Sequence, residues 1–212
     1  MVEILNGTSQ YCSEAIVSNA ASQNEFHYSD AGYCIIEQLI ADVVGKPFHQ
    51  VVCEHIFEPL HMENSFLNPK LLLSNTSNIA VGHNKMGEIV NGKYPVYPYP
   101  AASGLWTTSE NLAKLCIEFM NSLNEASTIG LSKTLAEEMI HPQGGKSWTG
   151  LGVFLEGTGM DLEISSLGWG GGFQSMVVMF PHRNKGAVIL TNSELGVHQM
   201  EGFIGEVYKS LF

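Results

Sequence analysis

Tyr28 stands just ahead of a predicted helix, in the run Phe-His-Tyr-Ser-Asp at residues 26–30. A phenol in this position can transfer a proton as a general acid or base, or it can simply pack against its neighbours. Because tyrosine titrates at about pH 10, proton transfer at neutral pH requires a nearby cation that lowers its pKa. The residue types alone leave both roles open.

A second candidate is the glycine cluster at residues 168–172, interrupted only by Trp169. It lacks the Lys-Ser/Thr pair that follows a phosphate-binding loop, and it lies between predicted strands instead of opening a helix. We interpret it as a glycine-rich turn that leads into strands.

The sequence offers no pattern for a metal or another cofactor. His49, His55 and His61 recur every six residues, which on a helix turns successive imidazoles by about 240°, so they cannot share one face. The His-Glu-x-x-His and Cys-x-x-Cys patterns are absent. We expect no cofactor, no metal site and reduced, buried cysteines. The four cysteines are Cys12, Cys34, Cys53 and Cys116.

The helix that follows Tyr28 is predicted over residues 31–44. Ser29 or Asp30 can cap its start, and Gly45 ends it. Its predicted buried stripe consists of Tyr33, Ile36, Ile40 and Val44.

Four further helical segments are predicted before residue 145. They are a possible short helix at 12–18, a helix at 48–57, a helix from Thr107 with a capping box to Glu110, and a helix at 132–141. The third has an apolar face of Leu112, Leu115, Cys116, Phe119, Met120 and Leu123. The long loop at 63–106 is expected to carry function or to wrap a site.

The pattern changes after residue 145. Short β-branched or aromatic runs at 150–155, 161–166, 174–180 and 186–191 are separated by turn signals, which predicts antiparallel pairing. A final amphipathic stretch at 197–211 can cover one sheet face. The fold class is therefore α+β, with a mostly helical region at 1–145, which carries the Tyr-Ser-Asp element and the loop, followed by strands and a covering helix at 146–212.

Composition excludes several partners. Ten Lys and Arg against 21 Asp and Glu give a formal charge of −11. We therefore expect neither nucleic acid nor an anionic membrane surface as a partner. Residues 1–7 lack a basic segment followed by an apolar core, which predicts no signal peptide and favours the cytoplasm if Met1 is the true start.

An ordered series of segments resembles the serine β-lactamase-like family, which includes class C β-lactamases, D-alanyl-D-alanine carboxypeptidases and related esterases. The resemblance runs from about residue 24 to the C-terminus. It implies a partial β-lactamase/transpeptidase-like fold and hydrolysis of a small ester, amide or peptide through an acyl-serine. The matching segments are 28–33, 36–37, 44–48, 56–62, 102–113, 172–175 and 188–193.

The resemblance also implies roles for individual residues. Tyr28 matches the family's proton-exchanging tyrosine, and Asp30 stands where asparagine is commoner. Ser166 and Gly168 take the outer positions of the Lys- or His-x-Gly element, which places Trp169 as the donor of an oxyanion-hole N–H. A register centred on Trp169 is the second choice.

Three departures from the family pattern change the chemistry that is expected of the site. No serine is followed three residues later by lysine, so we expect the nucleophile, its lysine and the first strands to be missing from the chain. Ser166 replaces a cation, which disfavours a substrate with a free carboxylate, and Asp30 adds a negative charge beside Tyr28. The aromatic residues of the loop indicate either an apolar acyl group or packing beneath the loop.

Three functions remain open from these patterns. The chain is the C-terminal part of a serine hydrolase that is inactive alone, a non-catalytic ligand-binding module, or an enzyme completed by another chain that supplies Ser-x-x-Lys. The first predicts self-association through open sheet edges.

Overall fold

A computed structural model describes residues 1–17, 26–67 and 78–212. Seven α-helices lie in these ranges: α1 Val2–Leu5, α2 Asp30–Val44, α3 Phe48–Val52, α4 Pro100–Ser103, α5 Ser109–Leu123, α6 Lys133–Met139 and α7 Phe203–Leu211. A π-helical turn, Cys53–Phe57, continues α3, and a 3-10 turn, Gln199–Glu201, precedes α7. No helix in the described ranges has the length and apolar character needed to cross a membrane.

The strands β1 Phe154–Glu156, β2 Glu163–Gly170, β3 Phe173–Phe180 and β4 Lys185–Thr191 form one antiparallel sheet in the order β1-β2-β3-β4. The predicted α+β class is confirmed. Ser166 lies opposite Val177, and Gly168 lies opposite Ser175. Because β1 pairs only with residues 163–165, the last five residues of β2 have a strand neighbour on one side only, within the described chain.

Each face of the sheet packs against a different helix. On one face, Met176 and Val178 form a buried cluster with Ile204 of α7. On the other, Ile164 and Met179 pack with Cys116 of α5. Side chains alternate between the faces of a strand, so this packing fixes which residues of β2 face α5.

Local capping signals place the start of α2 correctly. The Ser29 hydroxyl accepts a hydrogen bond from the Gly32 amide at 3.2 Å, and Gly45 ends the helix with φ of 71°. The capping prediction for α5 was wrong by one residue, because Thr108 caps it by accepting from the Asn111 amide. The Thr107 hydroxyl is instead 2.7 Å from that of Ser65.

The predicted buried stripe of α2 is also wrong. Ile36 is 48% exposed and Val44 is 46% exposed, whereas Cys34 and Glu37 are buried. The buried face is the one that contacts α4. Glu37 is accommodated there because its carboxylate accepts a hydrogen bond from the Ala101 amide at 3.0 Å.

Two other local predictions need correction. The short helix expected at 12–18 is absent from its described part, 12–17, because the Ser9 hydroxyl accepts from the Tyr11 and Cys12 amides and forms a turn instead. Cys12 and Cys53 are half-buried free thiols, so only two of the four cysteines have the expected burial. Part of the predicted loop, 68–77, lies outside the described residues.

The glycine cluster belongs mainly to a strand. Gly168 and Gly170 are part of β2, and only residues 171–172 form the turn into β3, with Gly172 at φ of 82°. The strand extends this far because residues 166–170 pair in register with 173–177 of β3. The expected turn is therefore narrower than the cluster.

Candidate active site

Tyr28 lies immediately before the cap of α2, and its side chain is 70% exposed. Partial burial and then the negative charge of Asp30 raise the pKa of Tyr28 above its ordinary value of 10.0. The phenol is therefore protonated at neutral pH and can donate a proton, while accepting one requires a cation. Asp30, the first residue of α2, is favourably placed at a helix N-terminus.

Ser166 and Gly168 lie on the face of β2 that points towards α5. Leu167, between them, packs with the cluster under α7, so its two neighbours must point the other way. A Cβ at 168 would meet the Ser175 hydroxyl, which would then have to rotate away, so the glycine leaves room for that hydroxyl. By the same alternation, the Trp169 side chain lies on the α7 side, where it is 49% exposed.

Three side chains from distant parts of the sequence hold the end of β2. The Gly171 amide donates to the Tyr97 hydroxyl at 3.3 Å, and the Gly172 amide donates to the Glu194 carboxylate at 3.3 Å. The Gln199 side-chain amide donates to the Gly168 carbonyl at 2.8 Å. Glu194 and Gln199 could not be identified from the sequence, because neither belongs to a motif.

A cavity of about 1210 Å³ lies between the sheet, α5 and residues 94–106, which contain Tyr94, Tyr97, Tyr99 and Trp106 and are called the aromatic loop. Ser166, Gly168 and Trp169 line it, while Tyr28 and Asp30 are not among the described residues that do. Its described lining contains acidic but no basic side chains. The apolar walls are contributed by Leu112, Leu115, Cys116, Phe119, Ile164, Val177 and Met179, with Leu105 and Trp106 from the loop.

The aromatic loop bridges from α2 towards the end of β2. Burial, the neighbouring Tyr97 and then Asp30 raise the pKa of Tyr99, so Asp30 acts electrostatically on this loop. The Tyr99 ring is 5.6 Å from the Tyr97 ring, and the Tyr97 hydroxyl reaches Gly171. The structure thus brings Ser166, Gly168 and Trp169 onto the cavity, and it connects Asp30 with the cavity through Tyr99 and Tyr97.

Aromatic residues of the loop both line the cavity and pack against neighbouring rings. Trp106 packs edge-on against Phe173 at 5.4 Å and against Tyr94 at 5.6 Å. Tyr97 lines the cavity beside Gly170. The packing interpretation therefore holds for Trp106, and the apolar acyl group stays a prediction.

The described residues contain no group of three or more His, Cys, Asp or Glu side chains positioned to hold a metal ion. Ser166 and the backbone of β2 supply hydrogen-bonding groups to the cavity, and its other walls are largely apolar. The described lining can hydrogen-bond to a polar group such as a carbonyl, and it includes no lysine that could pair with a serine there.

The chain is similar in sequence to known β-lactamase-like proteins. The family model described as Beta-lactamase matches residues 13–202. The curated Beta-lactamase-like protein 4 of Dictyostelium discoideum is 25% identical over 127 residues, which is 55% of this chain and 22% of that protein.

Solved structures share the fold at low sequence identity. An octameric penicillin-binding protein homologue from Pyrococcus abyssi has a TM-score of 0.70 and 21% identity, over 93% of this chain and 44% of that one. A class C beta lactamase has a TM-score of 0.70 and 18% identity, over 95% of this chain and 62% of that one. A penicillin binding protein from Bacillus halodurans has a TM-score of 0.66 and 18% identity, over 90% and 57%. The chain thus spans about half the length of these solved structures and 22% of the curated relative.

Proposed function

Because this chain belongs to the β-lactamase family, we propose that it is the C-terminal part of a serine hydrolase that cleaves esters or amides through an acyl-serine. One observation carries the proposal: the glycine-containing end of β2 lines a cavity, while the sequence contains no Ser-x-x-Lys pair. The chain supplies groups that stabilise charge and transfer protons, but not the attacking alcohol. Alone, it is inactive.

The reaction divides between this chain and a nucleophile-bearing segment. The serine hydroxyl of that segment adds to the substrate carbonyl, and the Trp169 amide stabilises the resulting oxyanion. The lysine of that segment accepts the proton that the serine loses, because Tyr28 already carries its own. Tyr28 donates its proton to the leaving alcohol or amine and recovers one from the lysine, and the acyl-serine forms as the leaving group departs. Water then adds to the acyl group, which releases the acid and restores the serine.

The cavity has the size of a short helix. A helix about 10 Å across that rises 1.5 Å per residue fills roughly 120 Å³ per residue, so about ten residues would occupy it. Ten residues make nearly three turns, which is enough to carry a serine and a lysine one turn apart. Small-molecule sites are usually about 300–1,000 Å³, so the cavity exceeds what a substrate alone needs.

The substrate is proposed to be neutral around its reacting carbonyl. Ser166 occupies the position where the family presents lysine or histidine, and the described cavity lining offers no other cation to a carboxylate. An ester or amide with an apolar acyl group fits these walls better than an acid. This supports esterase activity over β-lactam hydrolysis.

Hydrolysis assays test the proposal directly. The purified chain is expected to leave p-nitrophenyl butyrate and a chromogenic cephalosporin unhydrolysed, and a Ser-x-x-Lys segment is expected in frame upstream of Met1 in the genomic sequence. Joining that segment to the chain is expected to create ester hydrolysis that Tyr28→Phe reduces by about 10²–10⁴-fold. Turnover by the chain alone, lost in Tyr28→Phe, would refute the division of labour.

A non-catalytic binding module is the second candidate. The neutral Ser166 and the missing nucleophile favour it, because the same cavity could hold an acyl ligand without turnover. If the upstream genomic sequence lacks Ser-x-x-Lys and the chain binds a neutral butyryl ester without cleaving it, this function replaces the first.

The hydrolase proposal also predicts how the isolated chain behaves. β4 ends the sheet, and the outer backbone groups of Lys185–Thr191 pair with no further strand in the described part of the chain. Such an edge tends to recruit another strand, so we propose that the isolated chain self-associates there. Sedimentation velocity is expected to show concentration-dependent oligomers. A stable monomer with a cooperative thermal transition would contradict this.

A further inference from the structure

Gln199 is a buried glutamine with one clear partner. It begins the 3-10 turn ahead of α7, it is only 3% exposed, and its side-chain nitrogen donates to the Gly168 carbonyl at 2.8 Å. A buried amide is costly unless it is hydrogen-bonded, so this contact determines where the side chain rests.

The acceptor belongs to the peptide unit that matters most to the site. The carbonyl of Gly168 and the N–H of Trp169 are two ends of one planar peptide group, so a bond to the carbonyl restrains the direction of the N–H. Withdrawal of electron density by the donor also makes the N–H a stronger donor, because linked hydrogen bonds polarise one another. We propose that Gln199 is a positioning residue that aims and polarises the Trp169 amide.

A second buried glutamine fixes the backbone from which Gln199 projects. Gln174, also 3% exposed, lies opposite Trp169 in the sheet and donates to the Val197 carbonyl at 2.8 Å. The 197–199 segment is thereby tied to β3 through Gln174 and to β2 through Gln199. The two bonds hold the C-terminal segment and the end of β2 in one arrangement.

The inference rests on the proposed function, because the orientation of the Trp169 amide affects catalysis only if this amide stabilises an oxyanion. An alternative is that Gln199 only fastens the C-terminal segment to the sheet. If Gln199 positions the Trp169 amide, its loss changes that amide more than its neighbours. If Gln199 only fastens the C-terminal segment, its loss does not affect the Trp169 amide more than other amides.

Amide NMR spectra of the ¹⁵N-labelled chain provide the first test. Gln199→Met keeps the side-chain length and removes the donor, and it is expected to shift the Trp169 amide resonance more than those of β3 and β4. Tyr97→Phe is the matched control, since it removes a hydrogen bond to Gly171 and is expected to shift that amide instead. An unmoved Trp169 resonance in folded Gln199→Met would overturn the proposal.

Gln199→Glu supplies a test that stability alone cannot mimic. Its carboxylate cannot donate to the Gly168 carbonyl at neutral pH, but the protonated acid can. The Trp169 resonance is therefore expected to be displaced at neutral pH and to return towards the wild-type position as the pH falls through the raised pKa of a buried carboxyl group. A displacement independent of pH would count against the proposal.

Kinetics of the chain joined to its nucleophile segment separate this inference from the proposed function. Gln199→Met is expected to lower kcat by about 10–100-fold with little change in KM, somewhat less than loss of an oxyanion donor itself. Hydrolysis that is present but unaffected by Gln199→Met would overturn the positioning role. Absence of hydrolysis in every variant, with the Trp169 shift intact, would instead overturn the proposed function.

Discussion

Two helical glycines should respond in opposite directions to substitution by alanine. A Cβ on Gly205 of α7 would lie 2.7 Å from the Cα and 2.5 Å from the carbonyl carbon of Met200, and closer still to its carbonyl oxygen. A Cβ on Gly32 of α2 would come no nearer than 4.0 Å to Ser29. Backbone atoms of Met200 therefore leave no space for a methyl group at Gly205, whereas Gly32 has space for one.

The expected magnitudes follow from this difference. Alanine is favoured over glycine in a helix by about 1 kcal/mol, so Gly32→Ala should stabilise the chain by up to that amount. At Gly205 the same gain is outweighed by the steric cost of placing a methyl group against the backbone of Met200, which we take as about 2–4 kcal/mol. The net loss of about 1–3 kcal/mol corresponds to a Tm lower by roughly 3–10 °C in a chain of this size.

Thermal and urea unfolding followed by circular dichroism measure both variants. Met200 follows Gln199 directly, so the displacement at Gly205→Ala is also expected to loosen the contact between Gln199 and Gly168 and to shift the Trp169 amide. Gly32→Ala should leave that amide unchanged. If Gly205→Ala stabilises the chain as much as Gly32→Ala does, the close approach of α7 to the 3-10 turn is refuted.

Three further predictions concern ionisable groups. Hydrogen bonds from Ser127 and the following backbone amides hold the pKa of Glu118 below 4.5, although burial opposes this shift. The Glu118 carboxylate therefore stabilises the fold above pH 4.5, and this stabilisation is lost as the pH falls through the pKa of Glu118 in the folded chain. The difference in unfolding free energy between wild type and Glu118→Gln, about 1–3 kcal/mol at neutral pH, should therefore disappear on acidification. Asp30→Asn should lower the pKa of Tyr28 only partly towards 10.0, because burial is the larger cause, as a Tyr28→Phe difference titration at ultraviolet wavelengths can measure. Ser166→Lys should strengthen binding of 4-phenylbutyrate several-fold, with its methyl ester unchanged, in a tryptophan fluorescence titration; an equal gain for both ligands would contradict the cation argument.

The features that the sequence predicted correctly depend on local interactions. Ser29 caps α2 by bonding to an amide three residues away, and Gly45 ends the helix through its own backbone geometry. The short antiparallel strands follow from β-branched runs between turn residues, and β4 was placed within one residue of its observed start. Such signals act within a few residues, so they can be read without the fold.

The features that the sequence did not predict depend on which surfaces meet. Ile36 was predicted in the buried stripe of α2 and is exposed, while Glu37 lies outside that stripe and is buried against α4. Gln174 and Gln199 belong to a predicted strand and a predicted amphipathic stretch that assign neither side chain a partner, yet both are buried with backbone partners on other segments. A polar side chain becomes a core residue only when a matching backbone group is brought to it, and no local pattern records that approach.

The hydrogen bonds at the end of β2 determine what a nucleophile-bearing segment would have to contribute if it entered the cavity. A sheet edge can end without polar side chains, yet here Tyr97, Glu194 and Gln199 each contact a backbone group between residues 168 and 172. Each polar group brought there must recover its lost hydration through that contact. Catalysis by charge stabilisation depends on donors that are already oriented before charge develops. A segment that delivers a serine to this cavity would therefore meet an oriented donor, and its contribution to the rate would come from placing the alcohol and its base, with no rearrangement of β2.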